Sequence, residues 1–457
     1  MRDLLKYLSM AVIMIVLMAC NNDTPNTNSP SPKPEPKPEP GIEEINSYTI
    51  MIYGCGGKEL DEYIEATIRN VTLLDDIPSH INIVGQIKWS NDYKSEWSSG
   101  DGGVTRLKYN HAQKTYDNEP FDSNDFKIDD PSNLAEFIEW ARHEAPADEY
   151  TILFAGHGNA YHPSLDGNVT RAILRDDEDP VYLGLSGIIE AFETTDIHFN
   201  LIHMLCCLMN SIEYATELEP YTNYYLASNH VTSISNGEIY LLVEGLIAMD
   251  KYDETSIAKA AAYAIDQDYD MWWSQNILAI DHTLTKCSEI AELNNAIREF
   301  TDAVVALYAK QREIGSDAMM SNYGFTTATI DTALSKAYYP VNATFSESYI
   351  KDVEWYRMDY AFDIVDIAAK VAEATKHGDI VRAAENIEIA AAEAITHQRS
   401  VNLVAVDRVY YTITLINNSQ WSSLDLEGAG YERTAFDKAT GWSRLLKVNN
   451  ATFMHCR

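Results

Sequence analysis

Between residues 47 and 230, short apolar runs alternate with stretches whose apolar residues recur every three or four positions. Tyr48-Thr-Ile-Met-Ile-Tyr53 reads as a strand that stops at Gly54. Leu60, Ile64, Ile68 and Val71 form the stripe of a following helix. Ile81–Ile87 is the next strand, and the polar, Gly- and Asp-rich stretch 90–130 predicts surface hairpins or loops. Asp130-Pro131 has the cap-then-proline form of a helix start. Leu134, Phe137, Ile138 and Ala141 supply its apolar face, and it ends near Pro146. Tyr150–Ala155 is a strand running into Gly156-His157-Gly158. A helix near 186–194 precedes the strand Phe199–Leu205, which ends at Cys206-Cys207, and a helix through Glu217 leads to the strand Tyr224–Ser228. This alternation predicts an α/β fold with a mostly parallel sheet flanked by helices, whose ligands bind at the carboxyl ends of strands.

Beyond residue 250 the pattern becomes helical and alanine-rich, as in Ile257–Ala264 and Ala383–Ala394, with strand-like pieces at 277–280 and 410–416. The expected organisation is therefore an α/β domain over 47–250 and a largely helical C-terminal domain over 251–457 packed against it. The first forty residues belong to neither. Arg2 and Lys6 lead a short apolar run, Leu8–Met18, too short to span a bilayer comfortably. The run closes on Leu17-Met18-Ala19-Cys20, which resembles a bacterial lipobox. That resemblance implies a signal peptide over 1–19, lipidation of Cys20, and export to a periplasmic or cell-surface position on a bacterial membrane. Seven of the fifteen prolines fall between Cys20 and Gly41, so 20–46 is expected to be a stiff, extended tether.

Charge narrows the function. A formal net charge of -35 opposes nucleic acid, because a polyanion meets repulsion where a cationic protein would release counterions. Of the six cysteines, lipidation takes Cys20 and leaves an odd five, so at least one thiol stays unpaired. In an oxidising compartment such a thiol is kept because it is buried or because it reacts.

His157 and Cys207 each end a strand. If those strands are neighbours, both side chains emerge at one sheet edge, where an imidazole can draw the proton from a thiol and leave the nucleophilic thiolate. Gly158, lacking a side chain, lets a backbone N–H approach a substrate carbonyl beside the amide of Cys207, an oxyanion-hole arrangement. Gly54-Cys55-Gly56-Gly57-Lys58 has the wrong spacing for a phosphate loop. A His203/Cys206/Cys207 zinc site is disfavoured, since alternation puts the two cysteines on opposite sides of a strand.

Distributed motifs resemble the clostripain family of cysteine peptidases, with a caspase-like fold. They are the opening strand with Leu60-Asp61, Leu134–Trp140 and Pro146–Tyr150 leading to His157-Gly158, Arg175-Asp176-Asp177, Cys207-Leu208-Met209 with Glu213, Ala279-Ile280-Asp281, and Tyr431, Phe436 and Gly441-Trp442. The resemblance spans about 47–446. It implies that Cys207 is the nucleophile forming a thioester, that His157 is the general base and acid, and that Cys206 points into the core. It implies a peptide or protein substrate for a monomeric enzyme without a cofactor. Calcium is the alternative, held by Asp125, Asp129 and Asp130 or by Asp176, Asp177 and Asp179. One departure stands out: where the family carries an Asp lining a pocket for Arg or Lys, this chain has Leu205, so an apolar or relaxed primary pocket is expected. A catalytically silent peptide-binding or adhesive lipoprotein is the competing reading. Internal maturation, where it occurs, is expected to cut within 159–180.

Overall fold

The sheet is built outward from strands that are apolar on consecutive positions, the mark of parallel strands covered on both faces. In the computed structural model, which describes residues 46–121, 125–161, 171–176, 181–229, 238–274, 280–314, 361–401, 410–414 and 431–448, five such strands lie side by side. They are β1 (Tyr48–Cys55), β2 (Ile81–Lys88), β7 (Glu149–Ala155), β11 (Phe199–Leu205) and β12 (Thr222–Ala227), in the order β12-β11-β7-β1-β2, all parallel. The hairpin of β5 (Val104–Asn110) and β6 (Thr115–Phe121) extends one edge antiparallel. At the other edge β13 (Ile280–Lys286) and β15 (Ile395–Val401) are added, also antiparallel, to complete nine strands.

The polar stretch 90–130 thus splits in two. β3 (Asn91–Lys94) and β4 (Ser99–Asp101) form a small exposed hairpin, whereas the β5/β6 hairpin joins the main sheet because Leu107 and Tyr109 alternate onto its covered face. Of the strand expected at 277–280 only Ile280 falls among the described residues; it opens β13, whose extension to Lys286 is hidden from an apolar-run reading by polar residues such as His282 and Thr285. Within the strand expected at 410–416, Thr412–Thr414 form β16, paired with β14 (Ala361–Asp363), and 415 and 416 lie outside the described residues. Residues on both sides of position 250 therefore share one sheet. Residues 1–45, with the Cys20 lipobox and proline tether, lie outside the described residues.

Alternation along β1 sends Met51, Tyr53 and Cys55 to one apolar core and Tyr48, Ile50 and Ile52 to the other. The first core is covered by α2 (Pro131–Glu144), α3 (Leu185–Thr195), α4 (Ile212–Leu218), α7 (Ile290–Ile314), α8 (Ile364–Thr375) and α9 (Gly378–Ala394). α1 (Asp61–Asn70), α5 (Glu238–Ile247) and α6 (Glu254–Ser274) cover the second. Local signals set the helix starts. The Asp130 carboxylate accepts from the Ser132 N–H at 2.9 Å with Pro131 in the first turn, and the Ser211 hydroxyl accepts from the Tyr214 N–H to open α4.

Candidate active site

β7 and β11 are central neighbours in parallel register, with Ala155 opposite Leu205. His157 and Cys207 each stand two residues past that last pair, at the carboxyl ends of the strands. The two segments stay joined beyond the ladder: the Gly156 N–H donates to the Leu205 carbonyl at 3.3 Å. A methyl group built on Gly158 would sit 2.4 Å from the Cys207 carbonyl oxygen, 3.0 Å from its nitrogen and 2.7 Å from the Cys206 Cβ. Only glycine lets these backbones touch, so the space left by the absent side chain is filled by the thiol-bearing segment itself. His157, Gly158 and Cys207 are all half-buried.

The imidazole segment is held from behind. β8 (Gly158–Tyr161) pairs with β9 (Arg171–Asp176), and the Leu174 N–H donates to the His157 carbonyl at 2.8 Å. A side chain at Gly156 would meet Leu174 Cδ2 at 2.8 Å and the Cys55 carbonyl at 2.9 Å, so this glycine too is a point of close packing.

The thiols divide by environment. Cys55, Cys206 and Cys287 are buried, and burial pushes each thiol well above its ordinary pKa. Cys206 faces the core as expected, its Sγ donating to the Phe154 carbonyl at 3.3 Å. Cys207 is the one described cysteine that is not buried. A nucleophile must form a thiolate and meet a substrate, and three of the four thiols are placed against both.

The turn after Cys207 is fixed by partners from distant parts of the chain. Leu208 takes a left-handed conformation, φ 64°. The Tyr225 hydroxyl donates to the Met209 carbonyl at 2.6 Å. Asn210 donates its backbone N–H to the Ser228 carbonyl at 2.9 Å, and its side-chain amide to Asn229 Oδ1 at 3.1 Å and to the Tyr410 carbonyl at 2.9 Å. The Thr412 N–H returns to the Asn210 carbonyl at 3.1 Å, and Asp363 secures this strap by accepting from the N–H groups of Tyr410 and Val365. Burial raises the Asp363 carboxyl to about 7. Glu213, fully buried, accepts from the Tyr431 hydroxyl at 3.3 Å. Apart from Glu213 and Tyr431, the sequence reading missed these supports, since a buried asparagine or tyrosine carries no spacing signal.

Leu205 is buried within the apolar core on the α1/α5/α6 side. Asp125, Asp129 and Asp130 are exposed, with Asp130 engaged in capping α2. Asp176 lies 3.5 Å from the Lys88 ammonium, while Asp177 and Asp179 lie outside the described residues, as do residues 230–237 after Asn229. Among the described residues, the group with metal-ligating character is instead Glu238, Asp268 and His282.

A half-buried thiol beside an imidazole segment, at the carboxyl rim of a caspase-like parallel sheet, is the arrangement of a cysteine-type peptidase. The chain belongs to the clostripain family, whose model matches residues 106–422, more than half its length. Solved structures share the fold. A secreted C11 cysteine protease from Bacteroides thetaiotaomicron, in complex with an irreversible peptide inhibitor, has a TM-score of 0.57 and 15% identity, with 87% of this chain and 99% of that one covered. An inactive zymogen C11 protease from Parabacteroides distasonis gives 0.59 and 14%, with the same coverage. No curated protein matches the sequence significantly. Among the described residues no helix is long and apolar enough to cross a membrane.

Proposed function

We propose that this peptidase cleaves peptide bonds through a thioester on Cys207, with His157 as the proton carrier. The observation that carries this reading is the backbone contact of Gly158 with Cys207, which sets the two segments side by side at one rim. His157 takes the thiol proton as Sγ attacks the scissile carbonyl carbon. The amides of Gly158 and Cys207 donate to the resulting oxyanion, and His157 returns the proton to the leaving amine as the thioester forms. Water then attacks the thioester with His157 as base, releasing the carboxyl product and restoring the thiol. The inertness of the three buried thiols supports Cys207 over Cys206.

Leu205 supplies no carboxylate to the primary pocket, so cleavage is not restricted to sites after Arg or Lys. The enzyme acts as a monomer tethered by lipidated Cys20 and the proline-rich linker, facing exported or environmental proteins. Any maturation cut falls within 159–180, a span of which 162–170 and 177–180 lie outside the described residues.

A thiol-reactive peptidyl probe tests the chemistry, and a peptide library tests the pocket. The expected results are labelling that needs both Cys207 and His157, and cleavage after apolar as well as basic residues. A folded protein that takes no label would be a silent binding module; cleavage confined to Arg and Lys sites would overturn the role given to Leu205.

A further inference from the structure

On the side of the sheet covered by α5 and α6, three buried titratable side chains come together. Glu238 is the first residue of α5, Asp268 lies in α6 and His282 in β13; their exposures are 5%, 2% and 4%. His282 Nε2 is 3.2 Å from Glu238 Oε1, and its Nδ1 is 3.9 Å from Asp268 Oδ2. One ligand atom from each of the three lies within 4.8 Å of those of the other two. On the same face, two strands away, His203 of β11 turns edge-on to His282 with ring centroids 6.4 Å apart. His203 is buried, and among the described residues neither of its ring nitrogens has a hydrogen-bond partner.

Burial and the donor set decide what such a cluster can take. Two ionised carboxylates out of water cost several kcal/mol each unless compensated. A divalent ion held between the three ligand atoms suits the buried carboxylates, and a water on that ion would give the buried His203 ring a hydrogen-bond partner. One imidazole with two carboxylates suits a borderline transition metal of the zinc class. Calcium takes six to eight oxygen ligands, which three side chains do not provide.

We propose that Glu238, Asp268 and His282 hold a buried divalent transition-metal ion, with His203 hydrogen-bonded to a water that completes its coordination. The ion joins α5, α6 and β13 on the sheet face behind Leu205. It fixes Glu238, the first residue of α5, and takes no part in bond cleavage.

The test is metal analysis of the purified full-length chain by mass spectrometry. It is done in a Cys207→Ala background so that the rim thiol cannot compete for the ion, which also separates this outcome from the fate of the proposed peptidase mechanism. About one equivalent of a zinc-class metal is expected, falling below about a tenth of an equivalent in Asp268→Asn and His282→Gln. Native mass spectra of the parent should show the mass of one bound ion, which decides the matter if those variants do not fold. A bare mass for the parent, or metal retained by both folded variants, would overturn the proposal.

Discussion

The rim at Cys207 and the interior around His282 both assemble titratable groups, by opposite routes and with opposite consequences. At the rim, two strands adjacent in the sheet deliver His157 and Cys207 at matching positions past the Ala155–Leu205 pair, and both residues stay half-buried. In the interior, Glu238, Asp268, His282 and His203 arrive from two helices and two strands and are sealed from water. A thiol open to water can ionise and meet a substrate. Sealed carboxylates instead demand an opposing charge. The contrast of Cys207 with Cys206 repeats the lesson within one dipeptide, where a single step along the chain separates a surface thiol from one locked in its protonated form.

Substitutions at the rim sharpen this contrast most. Cys207→Ala should lower hydrolysis of a peptide substrate by at least about ten-thousandfold, whereas Cys206→Ala should leave kcat within about threefold and show its effect in thermal stability. His157→Ala should cost about a thousandfold in kcat with the fold retained, checked by circular dichroism beside the assay. Gly158→Ala forces its new methyl group against the Cys207 carbonyl. It should cost about a hundredfold in kcat by displacing that segment, together with a measurable fall in Tm.

The smallest effect concerns the strap behind the rim. Asp363 is raised from its ordinary value of 3.8 to about 7 by burial, so between those two values the folded protein holds a proton that the unfolded chain has released. Its contribution to stability is complete below about pH 4 and is lost as pH rises toward 7, by up to a few kcal/mol. Denaturant titrations across this window should show a falling term in the wild type that Asp363→Asn lacks. Equal pH slopes in the two proteins would remove Asp363 as its source.

What was legible in the sequence follows from the same physics. Parallel central strands announce themselves as apolar runs, and the residues that follow them fall at a predictable edge, so β1, β2, β7 and β11 and the placement of His157 and Cys207 past the ends of two of them could be read directly. Asp130-Pro131 likewise marked the start of α2. β13 beyond Ile280 was hidden because its polar residues imitate a loop, and β5 was read as a surface hairpin or loop because a half-covered strand among glycines and aspartates looks like surface. The Asn210–Tyr410 and Asp363–Tyr410 contacts join segments far apart in sequence, where no periodicity operates. The interior cluster was invisible for the same reason. A single His in a strand and a single acid in a helix acquire meaning only once helices α5 and α6 are laid on the sheet.

The most direct test of the rim is the rate and position of alkylation by a peptidyl chloromethyl ketone, mapped by peptide mass spectrometry in the wild type, His157→Ala and Cys206→Ala. The account predicts rapid modification at Cys207 alone, unchanged in Cys206→Ala and slowed by at least about a hundredfold in His157→Ala. Modification at Cys206, or a rate at Cys207 indifferent to His157, would contradict it.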